Sequence, residues 1–337
     1  MNAYITAKTL GMEAALINHI LVPLDGSTLA ECVLPHVSAI APVTNAHITL
    51  MNVLEPLQAG SAGPAVDPVE WHLRKQNAEK YLGQIADRLK ETGLLGVETL
   101  ILEGNPANSM VDFARSRGVD LIIISTHGQS GLSGWNVSSV VQKILLRSYT
   151  SILLVRAYLP ASAEMTKVHY KRLFLGMDGS HRSEFVLPFA ISLAQYHNSH
   201  LILETVVERP QSINRLPPSD QDVALLDKFV EKNFQAASRY LDQLVTQFSR
   251  EELKITAHVS IGDNAVSILH DMAEEANADL VMLAAHGSTG EQRWPYGSVT
   301  TSFIAYGSTS LMILQDLPDG EIRQTRAEMS VQESKGH

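Results

Sequence analysis

The sequence contains a single cysteine among 337 residues. Cys32 alone excludes an intrachain disulfide framework and a multi-cysteine zinc site, and it fits a reducing compartment. Charge is also scarce: charged residues make up 18% of the chain, against about 25% in typical soluble domains. Acids outnumber bases, 36 to 26, for a net charge of −10. That excludes a global electrostatic grip on nucleic acid or an anionic membrane. A local anion site built from backbone amides needs no net charge and stays open. No apolar run approaches the roughly 18 residues of a membrane span; Leu121-Ile122-Ile123-Ile124 is typical of the short runs present. The N-terminal stretch MNAYITAKTLGMEAALIN has one early Lys, Glu13 in its middle and no long apolar run. It does not read as a signal peptide, so a cytoplasmic location is expected. Neither common nucleotide signature is present: there is no Gly-x-x-x-x-Gly-Lys-Ser/Thr loop, and no Gly-x-Gly-x-x-Gly after the first strand.

What the chain does have is a repeat. LVPLDGSTLAECVLPHVSAIA (from Leu21) matches LFLGMDGSHRSEFVLPFAISLA (from Leu173), with Asp25 on Asp178. DLIIISTHGQSGLSGWNVSSV (from Asp120) matches DLVMLAAHGSTGEQRWPYGSV (from Asp279), with Gly128 on Gly287. Tyr81-Leu82 matches Tyr240-Leu241. The register shifts once, in the loop near Arg209 to Asp220. Matching motifs in the same order imply a duplicated domain of ordinary size.

Each copy alternates strand and helix. The expected strands are Ile20–Leu24, His47–Val53, Val97–Leu102, Leu121–Ser125 and Ser151–Val155, then Leu173–Met177, Leu201–Val207, Lys254–Ser260, Leu280–Ala284 and Leu311–Leu314. Near-continuous aliphatic runs suit strands covered on both faces by helices. Helical spacing appears in Leu29, Val33, Val37 and Ile40, and in Leu82, Ile85 and Leu89. It appears again from Leu226 through Phe229, Val230, Phe234, Ala237, Leu241 and Leu244 to Phe248. Asn105-Pro106 has the form of an N-cap followed by Pro at the first helical position, and Asp263 is the expected cap of the equivalent helix. The fold class is therefore α/β: two doubly wound, five-stranded parallel sheets of Rossmann-like form. They span residues 18–157 and 168–316, and residues 317–337 are expected to be a mobile tail.

In such sheets ligands bind beyond the carboxyl ends of the strands, where the strand order reverses. Here that is between the first and fourth strands. The two segments that flank it are also the two most alike between the copies. The first strand ends in Asp25-Gly26-Ser27, or Asp178-Gly179-Ser180. Asp there can accept hydrogen bonds from a ligand amine or hydroxyl, or it can join Ser in capping the next helix. The fourth strand is followed by small-residue loops, Thr126-His127-Gly128-Gln129-Ser130-Gly131 and Ala285-His286-Gly287-Ser288-Thr289-Gly290. They lead to Ser138-Ser139-Val140 and Gly297-Ser298-Val299. Such loops let backbone approach a ligand, and a helix starting there aims free amides at an anion. A plain connector with a capping Ser is the alternative. His127 and His286 have no nucleophile–base pattern and no metal-ligand spacing around them, and are read as structural. No metal ligand is assigned. Trp135 and Trp294 are read as packing residues, and Cys32 as a small core residue.

Taken together, DGSTLAECVLPHVSAIA with STHGQSGLSGWNVSSVVQKILLRSYTSILLV, and DGSHRSEFVLPFAISLA with AAHGSTGEQRWPYGSVTTSFIAYGSTSLMIL, resemble two universal stress protein domains in tandem. The family's ATP-binding members carry Gly, two residues, Gly, nine residues, then Gly-Ser or Gly-Thr. The first copy places Ser125, Gly128, Ser138 and Ser139 on that pattern. The second places Ala284, Gly287, Gly297 and Ser298 there, closer to it. The resemblance further implies that Val53 and Val206 border the adenine, that Pro23 and Leu24 line the first pocket, and that Asp25 and Asp178 serve the adenosine side. It implies an adenine-nucleotide-binding stress or regulatory protein with ATP as ligand, any Mg²⁺ being held by the triphosphate and water. Unidentified protein partners complete the picture, and no nucleic acid or membrane is expected. The two copies would pair through their fifth strands as an intramolecular pseudo-dimer, with further homodimerisation left open. Fast turnover is not expected, because neither loop carries a Lys and Arg293 is the only cation. An interaction protein that binds no nucleotide, and a slow ATPase, remain the alternatives.

Overall fold

The computed structural model describes residues 17–56, 68–129, 137–157, 168–210, 219–249, 253–288 and 295–315. The chain divides into two compact units, one largely before Tyr170 and one largely after it.

In the first unit the order is β1 (His19–Pro23), α1 (Thr28–Glu31), α2 (Leu34–Thr44), β2 (His47–Leu54), α3 (Pro68–Glu91), β3 (Val97–Glu103), α4 (Pro106–Arg117), β4 (Leu121–Ser125), α5 (Ser139–Arg147) and β5 (Ser151–Val155). The second unit repeats it: β6 (Arg172–Gly176), α6 (His181–Glu184), α7 (Leu187–His197), β7 (His200–Glu208), α8 (Asp220–Phe248), β8 (Lys254–Gly262), α9 (Ala265–Glu275), β9 (Leu280–Ala284), α10 (Ser298–Tyr306) and β10 (Leu311–Leu314). The strands are parallel, in the order β3-β2-β1-β4-β5 in the first unit and β8-β7-β6-β9-β10 in the second. β1 therefore lies between β2 and β4, and β6 between β7 and β9. The order reverses at β1/β4 and β6/β9, where the sequence pattern put it. β4 and β9 are buried from end to end, because helices cover both faces.

Three local expectations change. The stripe through Leu29, Val33, Val37 and Ile40 belongs to two helices: the chain steps from α1 to α2 at Cys32-Val33, and Pro35 opens α2. Proline has no N–H to donate to the preceding turn, so it starts a helix better than it continues one. Pro188 does the same at the start of α7. Asp263 is not the cap of α9. Asn264 is, its side chain accepting from the Val266 and Ser267 amides, while Asp263 pairs with Arg209 at 3.4 Å. Asn264 is the true counterpart of Asn105, which caps α4 by accepting from the Asn108 amide. Finally, only Leu241, Leu244 and Phe248 of the α8 stripe are buried, and Phe229 is 50% exposed. A helix of 29 residues runs about 43 Å at 1.5 Å per residue. The nine-residue β7 beside it covers about 30 Å, so the first turns of α8 outrun the sheet.

Candidate functional site

The site at the carboxyl end of each sheet is organised by the aspartate that follows the first strand. Asp25 Oδ1 accepts from the Ser27 amide at 2.9 Å and from its hydroxyl at 2.6 Å. Its Oδ2 reaches across the strand reversal and accepts from the Gln129 amide, in the loop after β4, at 2.5 Å. The second unit repeats this bond for bond. Asp178 Oδ1 takes the Ser180 amide (3.0 Å) and hydroxyl (2.6 Å), and its Oδ2 takes the Ser288 amide at 2.6 Å. Ser27 and Ser180 at the same time cap α1 and α6. Capping and crevice-facing, posed as alternatives for this triplet, are thus divided between Ser and Asp. Burial works against the charge on Asp178, but its hydrogen bonds from Ser180, Ser288 and Ser183 outweigh that and hold the carboxyl below its ordinary range.

The carboxylates also explain the glycines that follow. A Cβ on Gly128 would lie 2.1 Å from Asp25 Oδ2, and one on Gly287 2.5 Å from Asp178 Oδ2. Neither separation is sterically possible. Gly is required because the carboxylate packs on the loop backbone, an observation that the motif alone does not supply.

The next helix is pinned to the same place. The Ser138 amide donates to the Thr126 carbonyl, and the Gly297 amide to the Ala285 carbonyl, each at 2.8 Å. The N-termini of α5 and α10 therefore open beside the loop. Ser138 has φ −66° and accepts from the Val141 amide at 3.4 Å. Serine at this position is thus unstrained and engages one of the helix's free amides. Gly297 has φ −69° and offers no side-chain cap, leaving the first amides of α10 to another acceptor. A Cβ on Gly297 would make only ordinary contacts, the nearest at 3.7 Å. Ser139, Ser298 and the half-buried Val140 and Val299 follow at the helix starts.

Ser125, which stands at the first glycine position of the family pattern, is buried. Its single hydroxyl proton lies within reach of two carbonyls, His127 at 2.7 Å and Leu29 at 3.0 Å, so it serves the loop's own structure. Ala284 is buried in the second copy, where Thr300 donates to its carbonyl. Pro23 and Leu24 are buried, and Val53 and Val206 are half-buried at equivalent places near the ends of β2 and β7. His127 and His286 are buried in their turns. Trp135, Trp294, Glu291 and Arg293 lie outside the described residues.

The sequence reading missed two buried polar atoms. Asn52 donates to the Leu24 carbonyl at 2.7 Å, but its Oδ1 has no partner, and neither has Thr205 Oγ1 at the equivalent place on β7. Both residues are less than a tenth exposed, and a buried polar group without a partner costs about 1–3 kcal/mol. A polar residue within an otherwise aliphatic strand was the available signal.

The Universal stress protein family matches residues 17–156 and again 169–315. The chain belongs to that family. A universal stress protein of Mycolicibacterium smegmatis is 25% identical over 308 residues, covering 88% of this chain and 96% of its own. It is thus similar along both repeats. A shorter universal stress protein of Methanocaldococcus jannaschii is 27% identical, covering 42% of this chain and 97% of its own. The crystal structure of a universal stress protein from Archaeoglobus fulgidus superposes with a TM-score of 0.62 at 16% identity, covering 89% of this chain and 99% of that one. That likeness speaks for the fold. No helix among the described residues is long and apolar enough to cross a membrane.

Proposed function

We propose that this universal stress protein binds an adenine nucleotide, with ATP the leading candidate, at the β1/β4 and β6/β9 crevices, and binds it more tightly at the second. The observation that carries the reading is that each loop already holds one anion. The Gln129 and Ser288 amides point into the crevice and take a carboxylate, beside a helix N-terminus fixed at the same spot. Backbone amides and a helix N-terminus together form an anion site suited to phosphate. A nucleotide phosphate reaching those amides competes with Asp25 or Asp178. On this reading the aspartate holds the empty loop in shape and is available to the adenosine side once a phosphate replaces it.

The second site is favoured because Gly297 leaves the α10 amides uncapped, whereas Ser138 competes for one amide of α5. A difference of about 1.4 kcal/mol, at the low end for a hydrogen bond to a charged group, corresponds to about tenfold in affinity. Rapid phosphoryl transfer needs cations around the γ-phosphate and a placed water. Neither loop carries a Lys, and Arg293, in the second, is the only cation in their sequences, so the site suits a nucleotide that stays bound and shapes the surface that partners read. Calorimetric titration of the full chain with ATP, with and without Mg²⁺, tests the reading. Two binding events that differ about tenfold are expected, with no more than slow hydrolysis in a single-turnover assay. No binding at either site would favour the alternative, an interaction protein of the same fold that binds no nucleotide. Turnover at ordinary enzyme rates, abolished by a change at Asp178, would make this an enzyme.

A further inference from the structure

At the amino end of the first sheet, away from the crevice, three potential metal ligands stand on adjacent strands. His19 opens β1 and His47 opens β2, and the two are register partners. Glu98 on β3 is the register partner of Thr49. Residues 47 and 49 are two apart, and a strand presents every second residue to one face. Register partners share a face, so His19, His47, Thr49 and Glu98 lie on the same side of the sheet. Their contacts agree with this. His47 Nε2 is 3.2 Å from Glu98 Oε1. The Thr49 hydroxyl donates to Glu98 Oε1 at 2.6 Å and lies 2.8 Å from His19 Nε2. The two His rings are 5.4 Å apart, and Phe113 packs edge-on against His19 at 6.2 Å. One ligand atom from each of His19, His47 and Glu98 can be chosen so that all lie within 4.8 Å of one another.

From this arrangement we infer a divalent transition-metal site formed by His19, His47 and Glu98, with Zn²⁺ the best-suited ion. Two imidazoles and a carboxylate are a common ligand set for zinc, with water completing a tetrahedron. Zinc bonds of about 2.0–2.2 Å place tetrahedral ligands about 3.3–3.6 Å apart. The His47–Glu98 separation of 3.2 Å is already close to this, and the remaining closure falls chiefly on His47, whose side chain is 45% exposed, and on His19. The anchors are firm. Thr49 is fully buried, and its hydroxyl orients the Glu98 carboxylate, a role of the kind outer-shell partners play around metal ligands, while its contact with His19 Nε2 is given up when that nitrogen takes the ion. When the ion binds, the Nε2 lone pairs of both imidazoles go to the metal and the His19 ring proton sits on Nδ1. The Thr49-to-Glu98 hydrogen bond is kept.

The second unit provides an internal control. The same positions there hold Arg172, His200 and Thr256. Lys171 and Lys254 line the same surface hollow as these three, which has a volume of about 520 Å³. These three positions hold one imidazole with cations around it, and among the described residues no matching three-ligand set forms there.

The test is calorimetric titration of the untagged full chain with Zn²⁺ alone near pH 7.5, followed by the visible spectrum of the Co²⁺-loaded protein. One tight site per chain with a tetrahedral Co²⁺ spectrum is expected. His47→Ala and Glu98→Gln should each weaken it by about 100-fold, the upper end even for outer-shell changes, while His200→Ala leaves it unchanged. Circular dichroism of each variant separates loss of the site from loss of the fold, and the exposure of His47 and Glu98 makes their variants foldable. Absence of a tight site, binding that survives the His47→Ala, Glu98→Gln double change, or an octahedral spectrum would overturn the inference. None of these results depends on whether nucleotide binds.

Discussion

Asp25 and Asp178 hold the loops after β4 and β9 through the same set of acceptor bonds, and both loops have Gly where the carboxylate packs. At the opposite end of the sheets the copies part: His19, His47 and Glu98 in one, Arg172, His200 and Thr256 in the other. Inside the helices they part as well, where His36 of α2 corresponds to Phe189 of α7. The difference shows which parts of the duplicated domain its geometry fixes. The crevice is held by a carboxylate and backbone amides that must fit together, so it persists in both copies. The amino ends of the strands and the interior of a helix are not tied to that fit, and there the two copies carry different residues.

The sharpest way to separate the copies is acid. Burial lowers the pKa of His36 to about 4, against 6.5 for the unfolded chain. Between those values the unfolded state binds the proton and the folded state does not. The His36 contribution to stability is therefore fully present above pH 6.5 and is lost as the pH falls toward 4, on the order of 3 kcal/mol in all. Phe189 has no such liability. Thermal unfolding from pH 7 to 4 should show one transition falling more steeply than the other, and His36→Phe should remove that excess slope. An unchanged slope in the variant would place the acid sensitivity elsewhere.

The comparison at the crevice can be broken by adding one methyl group. Gly128→Ala and Gly287→Ala should each destabilise their own unit by about 2–3 kcal/mol, the cost of overpacking combined with displacement of a charge-assisted hydrogen bond. Gly128→Ala should be the worse of the two, because its Cβ meets the carboxylate more closely. Combining Gly128→Ala with Asp25→Ser should recover part of the loss. A double variant no better than strictly additive would mean that Asp25 and Gly128 do not act as a pair.

A smaller effect probes the helix starts. Asn105→Ala and Asn264→Ala should each cost about 1 kcal/mol. Asp263→Ala should cost little, since its ion pair with Arg209 is exposed. Equal losses at Asp263 and Asn264 would contradict the assignment of the cap.

The fold was legible in the sequence because both of its signals are local. Aliphatic runs mark strands covered on two faces, and the expected Leu121–Ser125, Ser151–Val155, Leu280–Ala284 and Leu311–Leu314 match the observed bounds. The reversal point followed from topology. Asp263 and Asn264 both belong to residue types that cap helices, so residue type alone does not separate them; the repeat register carried through from Asn105 points to Asn264. The break at Pro35 and Pro188 was visible in the residues but was overridden by an apolar stripe that runs through it. The carboxylate-to-amide bond across the crevice could not be read, because backbone amides leave no mark in a sequence. The cluster of His19, His47 and Glu98 was equally hidden. Its members are 28 and 51 residues apart along the chain and meet only through strand register.

The central claim, that the crevices hold an adenine nucleotide and the second holds it better, is tested most directly by mass spectrometry of the small molecules released from the full chain after purification without added nucleotide. The unmodified chain, Ser138→Val and Gly297→Val would be compared, with Gly297→Ala as a control that the space at this position tolerates. The account predicts an adenine nucleotide from the unmodified chain, most of it retained in Ser138→Val and most of it lost in Gly297→Val. No nucleotide from the unmodified chain, or loss confined to Ser138→Val, would contradict it.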